Sequence, residues 1–306
     1  MAAFIVWFKN FYYLCDMKNL THILFILLCL VSCNGKNTVI DEPIVEPDEP
    51  PAPPEVHAAI TWIDDDHGFF NWKDEGRLGA NYKKVHDFCM ETGIRFDIAR
   101  GPLCTPYDFK VLQFQLDECL KWQSEGFTYL YHPNHSMGWY DYDSEHPHDA
   151  SKIEEASMDC IKGFEYYGFK APSILVWPGD SHKFQDNYPV VSRLYDCAIS
   201  ASYTGTNHRA ENDRYCLKRF SLECLKVGYL TKTQFKQQLK EAVDNGDWII
   251  LASHIVNLVD SDVPDETSYN FANFLEIIQY ADSLCHIRPT GEVWAERKWM
   301  WEAEGR

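Results

Sequence analysis

The sequence lacks any long run of lysine and arginine. It carries 28 basic side chains against 46 acidic ones, which gives a formal net charge of −18. A protein that binds nucleic acid or an anionic membrane surface through its charge needs a basic face. The shortage of positive charge therefore argues against both partners, and we expect no nucleic-acid partner.

A Cys-x-x-Cys pair is also missing, although the chain has 11 cysteines. Thiolate zinc sites commonly use such pairs, so a site of that kind is not expected. Cys89, Cys119 and Cys160 fall on the apolar faces of predicted helices. A free cysteine in such a place acts as a small hydrophobic side chain. The spacing predicts no particular disulfide.

No apolar run is long enough to span a bilayer comfortably. Near the N-terminus, Met17 and Lys18 lead into an apolar run from Ile23 to Val31. A membrane helix needs about 20 apolar residues, whereas a basic start, a short apolar run and a small residue make a secretory signal. We therefore expect a signal peptide at residues 1–33, with Met17 as an alternative start. An uncleaved anchor that includes residues 3–15 is the competing interpretation.

The end of this signal, Leu30-Val31-Ser32-Cys33, resembles the bacterial lipobox, in which the cysteine carries the lipid. The resemblance implies an exported protein that is anchored through Cys33 to the bacterial cell envelope, on the periplasmic side of the outer membrane or at the cell surface. Residues 34–56 are rich in proline and acid, which is typical of an extended, self-repelling tether. A folded domain is then expected over residues 57–306.

Strand-like and helix-like segments alternate through this domain. Hydrophobic residues make up 45% of the chain and aromatic residues 15%, enough to bury a sizeable core. The strand-like segments are 58–63, 94–98, 127–131, 173–177 and 248–252, with a candidate final strand at 285–288. The helix-like segments are 81–92, 108–125, 151–167, 233–245 and 271–284. This alternation predicts an α/β fold, a closed or nearly closed (β/α) barrel formed by a single domain.

Polar clusters follow three of the predicted strands. In a barrel of parallel strands the carboxyl ends meet at one mouth, where the chemistry of such folds collects. The first cluster is Asp64-Asp65-Asp66. Adjacent carboxylates repel one another unless a cation compensates, so one acid could hold a metal while its neighbour activates water. A solvated acidic turn is the alternative.

The second cluster contains His132 and His135, three residues apart after a strand-like segment. Neutral imidazoles suit zinc, and a mixed carboxylate and imidazole set leaves positions open for water and substrate. The third is His254, directly after the apolar segment that begins at Trp248, where a histidine could protonate a leaving group. A pair of surface histidines and a satisfied core histidine are the alternatives.

The order of these pieces resembles the polysaccharide deacetylases of carbohydrate esterase family 4, also known as the NodB-type homology domain. The motifs that carry the resemblance are Ile63-Asp64-Asp65, Gly126 with five residues before His132, Trp177-Pro178-Gly179-Asp180, Ile249 to His254, and Phe274 to Trp294. Together they cover roughly residues 58–296. The resemblance implies a distorted (β/α) barrel of the deacetylase type.

The resemblance also implies a role for each matching residue. Asp64 would be the general base and His254 the general acid. Asp65 and His132 would bind a divalent metal, most simply zinc, with cobalt, nickel or manganese as alternatives. Backbone N–H groups near Pro178 and Gly179 could hold the oxyanion.

This chain departs from the family pattern at three places. Ser136 stands where the family has its second metal-binding histidine, so His135 is our choice of third ligand, with His146 and His148 as rivals. The arginine of the family's proline loop is missing near Trp177, and Arg100 is the candidate replacement. Asp66 takes the place of a glycine.

The sequence thus predicts a metal-dependent hydrolase that removes N- or O-linked acetyl groups from a polysaccharide or oligosaccharide. Trp139 and Trp177 are candidate platforms for a sugar ring, although either could equally belong to the core. The alternatives are a non-catalytic glycan-binding lipoprotein on a degenerate deacetylase fold, and another barrel metallohydrolase such as a phosphoesterase or an amidohydrolase. The sequence indicates neither the sugar nor the oligomeric state.

Overall fold

Seven parallel strands close into a barrel in the computed structural model of the chain. The structure describes residues 55–65, 70–71, 77–100, 113–133, 150–177, 185–208, 213–225, 230–260 and 270–303. The signal peptide, Cys33 and most of the tether lie outside these ranges and stay predictions.

The strands are β1 (Ala59–Asp64), β2 (Phe70–Asn71), β3 (Arg77–Leu78), β4 (Asp97–Arg100), β5 (Thr128–Tyr131), β6 (Ile174–Val176), β7 (Cys197–Thr204), β8 (Leu217–Ser221) and β9 (Trp248–Ser253). The α-helices are α1 (Ala80–Thr92), α2 (Gln113–Ser124), α3 (Ala150–Tyr167), α4 (Tyr188–Leu194), α5 (Lys232–Asp244), α6 (Phe271–Leu284), α7 (Thr290–Arg297) and α8 (Trp299–Ala303). Short 3₁₀ turns cover Gln185–Asn187, Leu222–Leu225 and Ile255–Asn257.

The barrel order is β1-β4-β5-β6-β7-β8-β9, while β2 and β3 form a separate antiparallel ribbon. Closure comes from β1 and β9, which pair in parallel along their whole length, from Ala59 opposite Trp248 to Asp64 opposite Ser253. The α/β barrel predicted from the alternation of segments is therefore confirmed, and its assignment to the deacetylase type stays a prediction.

Side chains of the barrel strands alternate between two apolar layers, as the period of a β-strand requires. On β1, Ile60 and Trp62 belong to the outer layer between strands and helices. Ala59 and Ile63 belong to the inner layer, which fills the barrel. The inner layer continues into α7 and α8, whose residues Val293, Trp294, Met300 and Trp301 pack against the strands from the amino-terminal end. The opposite, carboxyl end is the mouth of the barrel.

Two strand predictions differ from the structure. The segment predicted at 94–98 forms its strand at Asp97–Arg100, and Ile94 and Phe96 instead pack in the outer layer on the way into it. The candidate final strand at 285–288 is wrong, because only Ile287 pairs, through a single bridge to Ile60. β4 reaches only Ile63 and Asp64 of β1, which leaves room beside Ile60 for this one contact.

Cys89, Cys119 and Cys160 are buried and free, which confirms their prediction as small hydrophobic side chains. Within the described ranges, no helix combines the length and the apolar character that a membrane crossing would require.

Candidate functional site at the barrel mouth

Within the described ranges, four polar side chains occupy inward positions at the carboxyl ends of the strands. Asp65 follows β1, His132 follows β5, Arg219 lies in β8 and His254 follows β9. Each stands two residues beyond an inner-layer residue of its own strand: Ile63, Leu130, Leu217 and Ala252. Because strand side chains alternate, all four are directed toward the inside of the mouth. One residue from each of the three predicted clusters therefore meets Arg219, which the sequence did not single out.

Asp65 is the common partner within this group. Its carboxylate accepts a hydrogen bond from Nη1 of Arg219, and its Oδ1 lies 2.6 Å from Nε2 of His254. Burial opposes ionisation, but the charge of Arg219 and the hydrogen bond of His254 outweigh it. The pKa of Asp65 therefore lies well below its usual range. Asp65 is 7% exposed and fully charged at neutral pH.

His254 lies between two carboxylates. Nδ1 is 3.2 Å from Oε1 of Glu223, while Nε2 faces Asp65. Burial lowers the pKa of His254, but the hydrogen bonds to Asp65 and Glu223 prevail and raise it to about 10. Since a carboxylate lies beside each ring nitrogen, the ring is held as an imidazolium. Its side chain is 30% exposed, which leaves it within reach of a ligand in the mouth.

His132 is buried, and its ring is oriented by the backbone. Nδ1 lies 2.9 Å from the carbonyl oxygen of Val176. A carbonyl only accepts, so Nδ1 carries a proton, and Nε2 is the nitrogen that can offer a lone pair when the ring is neutral. His132 is also close enough to Asp65 to contribute to lowering that carboxyl's pKa. Metal-binding histidines are commonly held by such a hydrogen bond from the other ring nitrogen.

Asp64 lies on the other side of β1 from Asp65. It follows Ile60 and Trp62 in the outward register, and it is 1% exposed. Its Oδ1 accepts from Oγ of Ser253 at 2.7 Å and from the backbone N–H of Ile255 at 2.8 Å. Its Oδ2 accepts from Oη of Tyr82 at 2.7 Å. The two adjacent aspartates thus meet different surroundings.

The structure places two further candidates away from the mouth. Arg100 follows Ile98 in the outward register, and its charge acts on Cys119 and Tyr129 beside α2. Arg219, rather than Arg100, is the arginine beside the aspartate pair. Trp177 has no exposed surface, and its Nε1 donates to the carbonyl oxygen of Tyr215 at 2.7 Å. Of the two interpretations left open for Trp177, the structure shows the core position.

Several predicted site residues lie outside the described residues. These are Asp66, His135, Trp139, His146, His148, Pro178 and Gly179. Their roles as third metal ligand, sugar platform or oxyanion donor stay predictions.

The described donors fit a divalent cation in their chemistry. Asp65 supplies an ionised carboxylate with two lone pairs on each oxygen, and His132 supplies an imidazole with a fixed tautomer. Among the described residues, however, no group of three or more histidine, cysteine, aspartate or glutamate side chains is placed to hold a metal. A complete site needs a further ligand, and His135, His146 and His148 are the predicted candidates.

Arg219 and Glu223 were missed because β8 and the 3₁₀ turn after it have little sequence signal. β8 is the five-residue segment Leu217–Ser221, in which Lys218 and Arg219 interrupt the apolar residues. One hint is an arginine between Leu217 and Phe220, because a buried arginine needs a carboxylate partner. The partner itself follows a strand at the other end of the domain, so no local pattern connects the two.

Comparisons with known proteins do not assign the chain to a family. No family model matches the chain, and no curated protein matches it. Among solved structures, it is similar to a truncated form of 3-deoxy-D-arabino-heptulosonate 7-phosphate synthase from Thermotoga maritima. The TM-score is 0.34 at 11% identity, over 76% of this chain and 90% of that one. A likeness of this size carries no argument about activity, and the barrel is established by its own strand pairing.

Proposed function

We propose that the chain is a metal-dependent carbohydrate deacetylase, which hydrolyses N- or O-linked acetyl groups of a polysaccharide or oligosaccharide at the barrel mouth. The observation that carries the proposal is the meeting of Asp65, His132 and His254 at one end of the barrel. They follow three different strands, and they are the residues whose roles the resemblance to the deacetylases implies. Arg219 and Glu223 complete the charge pattern around them.

The described residues support distinct parts of this reaction. Asp65 and His132 would hold the cation, which when bound polarises the acetyl carbonyl and lowers the pKa of the attacking water. His254 is protonated between Asp65 and Glu223, so it holds a proton for the departing amine or alcohol. Arg219 balances the charge of Asp65, which keeps the carboxylate ionised in a buried place.

A non-catalytic glycan-binding protein is the second candidate, and one observation favours it. Both oxygens of Asp65 already face cationic partners, Arg219 and His254. A cation that binds Asp65 must share the carboxylate with these two groups, which lowers its affinity. If the mouth holds no metal, sugar binding without turnover is the expected behaviour.

Metal content and acetate release separate the two candidates. We expect purified protein to contain about one equivalent of zinc or a related divalent ion per chain, and to release acetate from acetylated glycans. The Asp65→Ala variant should lose most of the metal and the activity together. The His254→Ala variant should keep the metal but lose about 100-fold or more in turnover, since it lacks only the proton donor.

Surface residues of the same types provide matched controls. The side chains of Asp87 and His286 are 56% and 70% exposed and lie on helix α1 and just after helix α6. Asp87→Ala and His286→Ala should change neither metal content nor acetate release. An Asp65→Ala protein with full metal content and normal turnover would rule out the proposed site. Equal loss of metal and activity in His254→Ala would instead make His254 a ligand.

A further inference from the structure

We propose that Asp64 is a positioning residue, which holds the residues on both sides of His254, and that it does not accept the proton of the attacking water. The proposal rests on the proposed function for the role of His254. It departs from the general-base role that the resemblance to the deacetylases implies for Asp64.

Asp64 forms hydrogen bonds with the residue before His254 and with the residue after it. Ser253 precedes the histidine and donates its hydroxyl to Oδ1 of Asp64 at 2.7 Å. Ile255 follows it and donates its backbone N–H to the same oxygen at 2.8 Å. One carboxylate oxygen therefore holds the residue on each side of His254, and the histidine has little freedom to move away from Asp65.

The second oxygen of Asp64 is tied to a different element. Oη of Tyr82 in helix α1 donates to Oδ2 at 2.7 Å, and Tyr82 is itself 1% exposed. The carboxylate thus links β1, β9 and α1 in the outer layer. A general base must come within about 3 Å of the water that it deprotonates. At 1% exposure and in the outward register, both oxygens of Asp64 accept from donors on the outer side of β1.

Helix α1 holds the remainder of the same loop. Nδ2 of Asn81 donates to the carbonyl oxygen of Leu258 at 2.8 Å and to that of Ile255 at 3.2 Å. Asn81 and Tyr82 are neighbours in the first turn of α1. The turn that carries His254 is therefore fastened at both ends of the segment 253–258, by Asp64 at its beginning and by Asn81 at its end.

Asparagine at position 64 distinguishes a positioning carboxylate from a base. The Asp64→Asn side chain keeps an oxygen that accepts from Ser253 and Ile255, and its amide group can donate to Oη of Tyr82. It cannot accept a proton from water. The Asp64→Ala variant loses all of these contacts, and Tyr82→Phe removes only the donor to the second oxygen.

Two readouts are needed, of which one is independent of turnover. The first is acetate release by the metal-loaded protein. The second is the hydrogen-exchange rate of the Ile255 amide measured by NMR, with the amide of Leu251 in β9 as the internal reference for global opening. Each is measured in the full-length chain for the wild type and the three variants.

In Asp64→Asn and Tyr82→Phe we expect the protection of the Ile255 amide to stay within about tenfold of the wild type, which is the scale of a single hydrogen bond. Acetate release should also fall by no more than about tenfold. In Asp64→Ala, Ile255 should exchange much faster while Leu251 stays protected. Its kcat should then fall by about 100-fold or more with little change in KM, because the proton donor is displaced.

The proposal is overturned if Asp64→Asn loses about 100-fold or more in kcat while the Ile255 amide keeps its protection, because that result makes Asp64 the base. It is also overturned if Asp64→Ala leaves Ile255 protected, or if Asp64→Asn already exposes it. Should Asp64→Ala fail to fold, the asparagine and phenylalanine variants still decide. A wild type that releases no acetate would refute the proposed function, whereas the exchange rates would still test the positioning role.

Discussion

Asp97 is a further buried carboxyl group of the barrel, and it lies at the end opposite the mouth. It begins β4 in the inward register and is 1% exposed. Its Oδ2 accepts from the backbone N–H of Thr290, the first residue of helix α7, at 2.7 Å. Burial raises the pKa of Asp97 to about 7, the nearby charge of Glu292 acts in the same direction, and hydrogen bonds from Thr290 and Thr128 oppose the shift.

This pKa makes the stability of the fold depend on pH in a defined direction. The unfolded pKa of an aspartate is about 3.9, so the folded state binds the proton more tightly than the unfolded chain. The contribution to stability is complete below about pH 4 and is lost as the pH rises toward 7. Ionised Asp97 then destabilises the fold at every higher pH.

The Asp97→Asn variant tests this dependence. Asparagine keeps an acceptor for the N–H of Thr290 and cannot ionise. Relative to wild type, we expect its free energy of unfolding to improve by about 3 kcal/mol between pH 5 and pH 8. Denaturant unfolding at the two pH values measures the change. An identical pH dependence in both proteins would show that Asp97 does not titrate in this range.

The residues of the mouth show what single-residue patterns can and cannot reveal. Asp65, His132 and His254 were predicted from their positions after apolar segments, and the structure brings these three together. The different surroundings of Asp64 and Asp65 could not be predicted. Two neighbouring strand residues face opposite layers, and sequence alone does not show which of the two faces the mouth. Arg219 was not predicted as a site residue because its partner, Asp65, is distant along the chain.

Helix α5 is an element whose beginning is fixed by its own sequence. Thr231 is the N-cap, and it forms a capping box with Gln234 in which each side chain binds the other residue's backbone. The buried face of the helix, formed by Phe235, Leu239 and Ala242, packs in the outer layer. The helix was predicted at 233–245, within one residue of its observed bounds, and the cap that fixes its beginning was not part of that prediction.

Removal of the cap should have a small and local effect. Thr231→Ala leaves the N–H of Gln234 without its side-chain acceptor, and we expect a loss of about 1 kcal/mol in the free energy of unfolding. Thr231→Ser keeps a hydroxyl and should stay within about 0.5 kcal/mol of the wild type. Thermal or denaturant unfolding of the two variants provides the measurement. An equal loss in both would show that the methyl group of Thr231, not its hydroxyl, matters.

Elements with weak local signals were the ones that sequence did not predict. β7 and β8 lie in a region without apolar alternation at regular spacing, and their strands form because both edges pair within the barrel. The opposite error occurred at residues 285–288, where an extended segment was predicted and the edge of β1 had room for one residue. In both cases the pairing partner decided the outcome, and no local propensity encodes it.

For the whole molecule, the C-terminal helices complete the barrel core. Trp294 and Trp301 of α7 and α8 pack with their ring centroids 5.5 Å apart in the same apolar cluster as the inner strand residues. Trp301 has no exposed surface. The barrel interior is therefore filled by side chains of the strands and of the C-terminal helices. The stability of the domain depends on both sets.

A cavity at this position should destabilise the entire domain. We expect Trp301→Ala to lower the free energy of unfolding by about 3–5 kcal/mol, as for other buried aromatic residues. Tyr166, which is 82% exposed, provides a matched aromatic control. Tyr166→Ala should change stability by about 0.5 kcal/mol or less. Calorimetry of both variants measures the difference, and a small loss in Trp301→Ala would mean that α7 and α8 can separate from the barrel without unfolding it.

The pairing of β1 with β9 has a consequence for synthesis of the protein. Asp65 lies near the beginning of the barrel and His254 near its end, and the backbone N–H of Asp65 donates to the carbonyl oxygen of Ser253 at 3.1 Å. A growing chain on the ribosome can form individual strand–helix units early, but it cannot join these two residues before β9 has emerged from the exit tunnel. Any chain truncated before β9 therefore lacks His254 and one wall of the mouth, so premature products of translation cannot assemble the group of side chains around Asp65.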